Sequence, residues 1–138
     1  MKRSTVPEMR ASARKRERFV HDVTTGGHTL VVDEPVELGG DDLGPNPQEL
    51  LAAALASCTA VTMEMYAQRK GWNVEGLGVD CRYSPAERGS VTRFELVLTL
   101  PDHLDAEQVE RLQVIAAKCP VHRTLEGEVA FDERVVRS

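Results

Sequence analysis

Hydrophobic and polar residues follow a strand-like pattern in the first part of the chain. Between Met9 and Asp33 the apolar residues come in short alternating runs on either side of Gly26-Gly27, a dipeptide typical of a tight turn. This pattern predicts antiparallel strands joined by a hairpin. The next segment, EPVELGGDDLGPNP, is rich in glycine, proline and acidic residues and predicts an exposed loop.

A long α-helix is predicted from Pro47 to about Lys70. Asn46 suits the N-cap position, Glu49 stands where a capping box places its carboxylate, and Gly71 ends the helix. The first half of this helix is apolar nearly all round, and such a helix must be covered on several sides. One small sheet covers only one side, so either a partner subunit or a second helix is implied, and we expect a homodimer.

The remaining sequence predicts a hairpin and further helices. Residues 79–83 and 93–100 alternate between apolar and polar positions around the turn PAERG, which predicts a hairpin with one buried face. Asp105 is the expected N-cap of a second helix with one apolar stripe, and Pro120 interrupts its pattern.

The end of the chain completes the predicted fold. Residues 121–125 fit a short turn of helix, and GEVAFDERVV (127–136) predicts a final strand. Strands, a long helix, a hairpin, a second helix and a final strand define an α+β class. We expect a single domain over residues 1–138.

Composition and charge restrict the possible partners. The 138 residues include 17 Lys and Arg against 22 Asp and Glu, and the basic residues crowd the first segment. That segment has no interleaved aromatic residues and the chain is net negative, so we expect no nucleic-acid partner. The apolar stretch Leu50–Met63 is shorter than the roughly 20 residues of a membrane span. We expect no membrane segment, no secretory signal and a cytoplasmic protein with reduced thiols.

Three cysteines are the candidate reactive groups. Cys58 lies about three turns into the long helix, beyond the reach of the helix dipole, and its spacing alone fits a buried small residue. Cys119, in KCPVHR, directly precedes Pro120 and can cap a short helix, a position that favours a thiolate. Cys81 alternates with apolar strand residues, which favours core packing.

A metal site is the alternative use of these thiols. Cys119 and His122 have C-x-x-H spacing, and Cys58 would be a third ligand. Because paired C-x-x-C motifs are absent from the sequence, we expect no metal and no cofactor.

Two segments together carry a family resemblance. GPNPQELLAAALASC and, far downstream, KCPVHRTLEG resemble the OsmC/Ohr family of thiol-dependent peroxide-defence proteins. TTGGHTLVVDEP and YAQRKGW are similar to family sequences as well, especially those of the YhfA-like branch. The resemblance implies an OsmC-like fold in which two chains intertwine, with the cysteine helices at the centre and residues of both subunits in each site.

The resemblance also implies a reaction. In characterised members the first cysteine is peroxidatic and the second resolves it, and these positions match Cys58 and Cys119. A Cys58 thiolate would reduce an organic hydroperoxide and become a sulfenic acid, which Cys119 would convert to a disulfide. An external dithiol, such as a lipoyl-bearing protein, or a small thiol would then restore both thiols.

The family activates its cysteine with an arginine that a carboxylate holds in place. Arg18, in RERF, is the best match, although Arg14 and Arg16 are close enough to leave the assignment open. The carboxylate follows the proline of an NP-x-x-L motif in the peroxidases, and here that position is Gln48. Glu49 is a secondary candidate, although a capping box already accounts for it.

Two functions are therefore carried forward. The first is reduction of organic hydroperoxides, which the cysteine pair favours; the second is a dimer that binds a small apolar or electrophilic ligand, or senses redox state, without peroxidase turnover, which Gln48 favours. We expect an apolar substrate pocket that favours alkyl hydroperoxides, and core packing is the alternative role of the residues assigned to it. Those residues are Leu51, Leu55, Met63 and Met65, with Gln48 beside them.

Overall fold

The computed structural model describes residues 8–138. These residues form two compact units, the first ending at Leu51 and the second beginning at Ala52, and each is described by itself. A single domain over residues 1–138 stays a prediction.

The first unit contains a three-stranded antiparallel sheet in the order β1-β2-β3. The strands are β1 (Ala11–Glu17), β2 (Val20–Thr25) and β3 (His28–Val32). Gly26 and Gly27 form the two-residue turn between β2 and β3, and both have positive φ, as the favoured hairpin turn requires. The predicted antiparallel strands and their turn are confirmed.

A folded loop follows β3. It contains a short 3₁₀ turn at Val36–Leu38, and it leads to the long helix. Gly40 is buried, and a Cβ atom at this position would collide with the carbonyl oxygen of Glu34. The loop therefore packs its backbone closely enough to require glycine there.

The long helix, α1, spans Pro47–Lys70 as predicted. At its start, the Asn46 side chain accepts a hydrogen bond from the N–H of Glu49 (2.8 Å), and the Glu49 carboxylate accepts one from the N–H of Asn46 (3.0 Å). This is the capping box that the sequence indicates. At its end, Gly71 adopts the left-handed conformation with φ 74°.

The composition of α1 has a further consequence. Its most apolar 18-residue window has a mean hydropathy of 1.4, so by length and composition alone the helix could cross a membrane, a property that core helices of soluble proteins share. The apolar part of the helix is therefore longer than the stretch Leu50–Met63 recognised in the sequence. Only 22% of the window is buried, which leaves much apolar surface uncovered.

The second unit combines the remainder of α1 with a hairpin and two shorter helices. These elements are β4 (Gly78–Ser84), β5 (Arg93–Thr99), α2 (Ala106–Ala116) and α3 (Pro120–Glu126). Asp105 caps α2 through a reciprocal capping box with Gln108. The core of this unit lies between α1, α2 and the inner face of the hairpin. Its fully or nearly buried members are Met63, Ala67, Leu104, Leu112 and Ala116.

The predicted final strand over 127–136 is wrong for the described chain. Residues 128–138 form no helix or strand, although their alternation is strand-like. A strand needs a neighbour to satisfy its N–H and C=O groups, and the sheet of the second unit contains β4 and β5 alone. The segment is left with exposed apolar side chains at Val129, Phe131, Val135 and Val136.

Candidate active site

Two thiols lie together in the second unit. Cys58 is half-buried on α1, and Cys119 is fully buried at the N-cap of α3. The two side chains are close enough for Cys119 to influence the pKa of Cys58, and all three cysteines of the chain are free. The two cysteines singled out from the sequence are therefore neighbours in the fold.

The first turn of α3 supplies backbone donors to both sulfur atoms. The N–H of His122 donates to the Cys119 sulfur over 3.4 Å, and the N–H of Val121 faces the Cys58 sulfur closely enough to lower its pKa. These N–H groups have no partner within the helix itself. The Val121 N–H favours the thiolate form of Cys58, because a hydrogen bond to a charged sulfur is stronger than one to a neutral sulfur.

The balance of forces on Cys58 nevertheless favours the protonated thiol. Burial raises the pKa of Cys58, and the neighbouring Cys119 raises it further, whereas the Val121 N–H and the Thr62 hydroxyl act in the opposite direction. The net shift is upward from the ordinary value of 9.0. Within the described residues, none of the side chains that set this shift is a cation. A thiolate at neutral pH therefore requires a positive charge from elsewhere.

The third cysteine belongs to a different environment. Cys81 lies on β4 opposite Leu96 of β5, and burial alone raises its pKa. Its half-buried side chain alternates with exposed neighbours along the strand, as the sequence pattern indicates. Cys81 is a natural internal control for the chemistry of the other two thiols.

His122 lies beside the thiol pair and is bound to a carboxylate. Its Nε2 atom is 2.6 Å from the carboxylate of Glu126, one helical turn later. Its buried Nδ1 atom has no hydrogen-bond partner in the described part of the chain. Between residues 8 and 138 there is no group of three or more His, Cys, Asp or Glu side chains arranged to hold a metal ion.

Arg18 lies in the first unit, where hydrogen bonds hold its guanidinium. It lies in the tight turn between β1 and β2 with φ 51°, a left-handed conformation that is uncommon for residues other than glycine. Its Nη1 atom donates to Asp41 over 3.0 Å, and its Nη2 atom donates to the carbonyl of Gly39 over 2.7 Å. Arg18 is therefore bound to the loop that follows β3.

The other two arginine candidates lie on the exposed strand β1. Arg16 forms an ion pair with Asp22 of β2, using both Nε and Nη2. Arg14 faces Asp22 in the strand register. Of the three candidates, Arg18 is the one whose guanidinium is bound by the loop.

The remaining predicted site residues divide between two roles. Gln48 is exposed, and the Glu49 carboxylate is engaged in the capping box of α1. Leu55 and Met63 are buried, and Met63 packs in the core of the second unit. Leu51 is half-buried, and Met65 is exposed.

The first unit contains an apolar hollow that the sequence did not indicate. Its volume is about 670 Å³, and it is lined mainly by residues of β2, β3 and the loop. Its apolar wall includes Phe19, Val23, Val32, Leu38 and Leu50. Phe19 directly follows Arg18 in the chain, so the hollow opens beside the arginine turn.

Fold and site together define an α+β protein with a paired-thiol centre. Residues 39–134 match the model of the OsmC-like protein family. That match covers well over half of the chain, which therefore belongs to this family. The YhfA-like branch within the family stays a prediction.

Solved structures share the fold. An OsmC-like protein from Mycoplasma pneumoniae aligns with a TM-score of 0.73 at 19% identity, covering 88% of this chain and 89% of that one. An organic hydroperoxide resistance protein from Elizabethkingia anophelis aligns with a TM-score of 0.69 at 21% identity, covering 91% and 92%. An OsmC-like protein of unknown function from Vibrio cholerae aligns with a TM-score of 0.66 at 16% identity, covering 89% and 96%. A comparison with curated proteins found no match.

Proposed function

We propose that this protein is a thiol peroxidase that reduces organic hydroperoxides, with Cys58 as nucleophile and Cys119 as resolving thiol. The observation that carries the proposal is that these two free thiols are neighbours, close enough for Cys119 to act directly on Cys58. Thiols in direct contact can form a disulfide as soon as one of them is oxidised. Family membership and the name of the Elizabethkingia relative support the choice of substrate.

The reaction proceeds in three steps. The Cys58 thiolate attacks the distal oxygen of the hydroperoxide and the O–O bond breaks; the sulfur becomes a sulfenic acid, and the departing alkoxide takes a proton from water to leave as the alcohol. Cys119 then attacks that sulfur and water leaves, which forms the disulfide. A dithiol reductant, such as a lipoyl-bearing protein, finally becomes a disulfide itself and returns both cysteines to thiols. This cycle suits the reducing cytoplasm.

Activation of Cys58 is assigned to Arg18. Burial and the Cys119 contact raise the pKa of Cys58, so reaction at neutral pH needs a nearby cation. A guanidinium stays charged at any physiological pH and donates several hydrogen bonds in a fixed geometry. Either the same chain or a partner subunit supplies this arginine.

The functional unit in this proposal is a homodimer. The exposed face of α1 carries apolar side chains one turn apart, at Val61 and Met65, which are 53% and 57% exposed. The terminal segment 128–138 adds further exposed apolar residues. Exposed apolar surface of this extent is typical of an interface, and the intertwined dimer implied by the family resemblance would cover it.

Rapid mixing of reduced protein with cumene hydroperoxide tests the peroxidase proposal. We expect fast hydroperoxide consumption by the wild type and by Cys81→Ser, and none by Cys58→Ser. Mass spectrometry should then find a Cys58–Cys119 disulfide in the wild type and a trapped or overoxidised Cys58 in Cys119→Ser. Equal consumption by wild type and Cys58→Ser would overturn the assignment.

The second candidate is a dimer that binds a small apolar or electrophilic ligand, or senses redox state, without turnover. Two observations favour it: the raised pKa of Cys58, and the apolar hollow of about 670 Å³ in the first unit. Neither requires a fast reaction with peroxide. If reduced protein forms its disulfide only slowly and does not turn over with a dithiol, this candidate replaces the first.

A further inference from the structure

We propose that Asp41 is the positioning residue for Arg18, and that it takes the place of a carboxylate at position 48. The inference rests on the proposed role of Arg18 in activating Cys58. Gln48 has no charge, and the Glu49 carboxylate is already bound to the N–H of Asn46. Charge balance for Arg18 must therefore come from another part of the chain, and the loop after β3 provides it.

The guanidinium of Arg18 is held at two points. One terminal nitrogen donates to the Asp41 carboxylate (3.0 Å), and the other donates to the carbonyl of Gly39 (2.7 Å). Two parallel contacts fix the plane of a guanidinium as well as its position. The backbone is held too, because Lys15 Nζ donates to the carbonyl oxygen of Arg18 over 2.9 Å.

Asp41 is in turn held by a buried carboxylate. Asp33 is 1% exposed and accepts hydrogen bonds from the N–H groups of Glu34 (2.7 Å), Asp41 (3.1 Å) and Leu43 (3.2 Å). Burial by itself would raise the pKa of Asp33, but these three donors and the charge of Arg18 together lower it. An ionised Asp33 at the centre of the loop thus fixes the backbone of the residue that binds Arg18.

The contact between Asp41 and Arg18 fixes the position of the arginine more than it stabilises the fold. The Arg18 and Asp41 side chains are 59% and 37% exposed, and ion pairs this open to solvent contribute little to folding. By contrast, small displacements of an activating group can slow a reaction about 100-fold. Loss of the Asp41 charge should therefore change reactivity far more than thermal stability.

The neighbouring pair on the same sheet gives a useful contrast. Arg16 is held by Asp22, a residue of the strand ladder, and both lie outside the loop. Asp42, next to Asp41, has the same charge and no ion-pair partner among residues 8–138. Its backbone has φ 54°, which asparagine tolerates well. Asp42→Asn is therefore the matched control for Asp41→Asn.

The test measures both reactivity and the state of Arg18. We expect Asp41→Asn to slow Cys58 oxidation by cumene hydroperoxide about 10- to 100-fold, whereas Asp42→Asn reacts like the wild type and both variants keep its melting temperature. In an Arg18→Ala background, Asp41→Asn should have no additional effect, because the two residues act as one unit. Side-chain NMR should show that the Arg18 guanidinium rotates freely in Asp41→Asn and remains restricted in Asp42→Asn.

Each outcome decides between the two proposals. If the wild type and Arg18→Ala are active to the same degree, the proposed role of Arg18 fails, and the NMR signals alone decide whether Asp41 holds it. If Arg18→Ala is slow but Asp41→Asn reacts like Asp42→Asn, the inference about Asp41 is overturned while the peroxidase proposal stands. An additive effect of the two substitutions also overturns it, because Asp41 would then act by another route.

Discussion

Cys58 and Cys119 lie side by side, and N–H groups in the first turn of α3 face both sulfur atoms. One helix thus supplies the nucleophile candidate, while the start of another supplies both the resolving thiol and the backbone donors. The contact has two opposite effects. It keeps the two sulfurs ready to form a disulfide, yet it favours the protonated form of Cys58.

Removal of Cys119 should therefore lower the pKa of Cys58. Burial makes the largest upward contribution, and the hydrogen bond and charge of Cys119 add to it. In Cys119→Ala both contributions of Cys119 disappear and solvent gains access to the remaining thiol, so the pKa moves down. The pH dependence of alkylation by iodoacetamide measures this shift.

Cys81→Ala is the control for that measurement. Cys81 titrates under the influence of burial alone, on a strand away from the pair. We expect the Cys58 titration to be the same in this variant and in the wild type. An unchanged or higher pKa of Cys58 in Cys119→Ala would contradict the interpretation of the contact.

Substitution of Arg18 should slow Cys58 oxidation more than substitution of Arg16 does. Loss of one well-placed donor at a reacting centre typically costs about 100-fold in rate. Arg18 is bound to the loop by Asp41 and Gly39, whereas Arg16 is paired with Asp22 in the sheet. We therefore expect a loss of about this size for Arg18→Ala and a change of less than about threefold for Arg16→Ala. Rate constants for Cys58 oxidation at neutral pH measure both losses. A larger loss in Arg16→Ala than in Arg18→Ala would transfer the activating role to Arg16.

Local sequence signals determined much of the fold in advance. The bounds of α1 follow from the Asn46 cap and from Gly71, and the β2–β3 turn follows from two consecutive glycines. These features depend on residues adjacent in sequence, so their physical causes are visible in the sequence itself. The final strand failed because alternation specifies a face but supplies no neighbouring strand.

The candidate site was less predictable for the same reason. The spacing around Cys58 indicates only a buried residue, and its pairing with Cys119 came from the family resemblance, because the contact joins distant parts of the chain. Asp33 and Asp41 were missed altogether. They lie in a segment with several carboxylates, and no local pattern reveals that Asp33 turns inward while Asp41 meets Arg18.

The buried carboxylate of Asp33 should make the stability of the fold decrease at acidic pH. Its pKa lies below the ordinary value of 3.8 despite burial, because three N–H donors and Arg18 favour the charged form. A lowered pKa in the folded state stabilises the fold above the unfolded pKa, and this contribution is lost as the pH falls toward the folded value. The melting temperature of the wild type should therefore decrease below about pH 4.

Asp33→Asn isolates that effect. An amide replaces one oxygen acceptor by an NH₂ group that cannot accept from the loop N–H groups, so we expect a lower melting temperature at neutral pH. The difference in melting temperature between wild type and Asp33→Asn should narrow as the pH falls, whereas Asp42→Asn should have the melting temperature of the wild type at every pH. A constant difference from neutral to acidic pH would show that the Asp33 charge does not stabilise the loop.

The exposed apolar face of α1 gives the last prediction, which concerns assembly. Val61 and Met65 are separated by one helical turn and are more than half exposed, although α1 is apolar enough by length and composition to cross a membrane. If a second subunit covers this face, glutamates there would be buried without partners at the interface, at a cost that a dimer cannot sustain. The double variant Val61→Glu, Met65→Glu should therefore be monomeric by light scattering at concentrations where the wild type is dimeric.

Val91→Glu makes the same substitution at an exposed valine in the β4–β5 turn and should remain dimeric. A dimeric double variant would show that α1 does not form the interface, and a monomeric wild type would overturn the dimer itself.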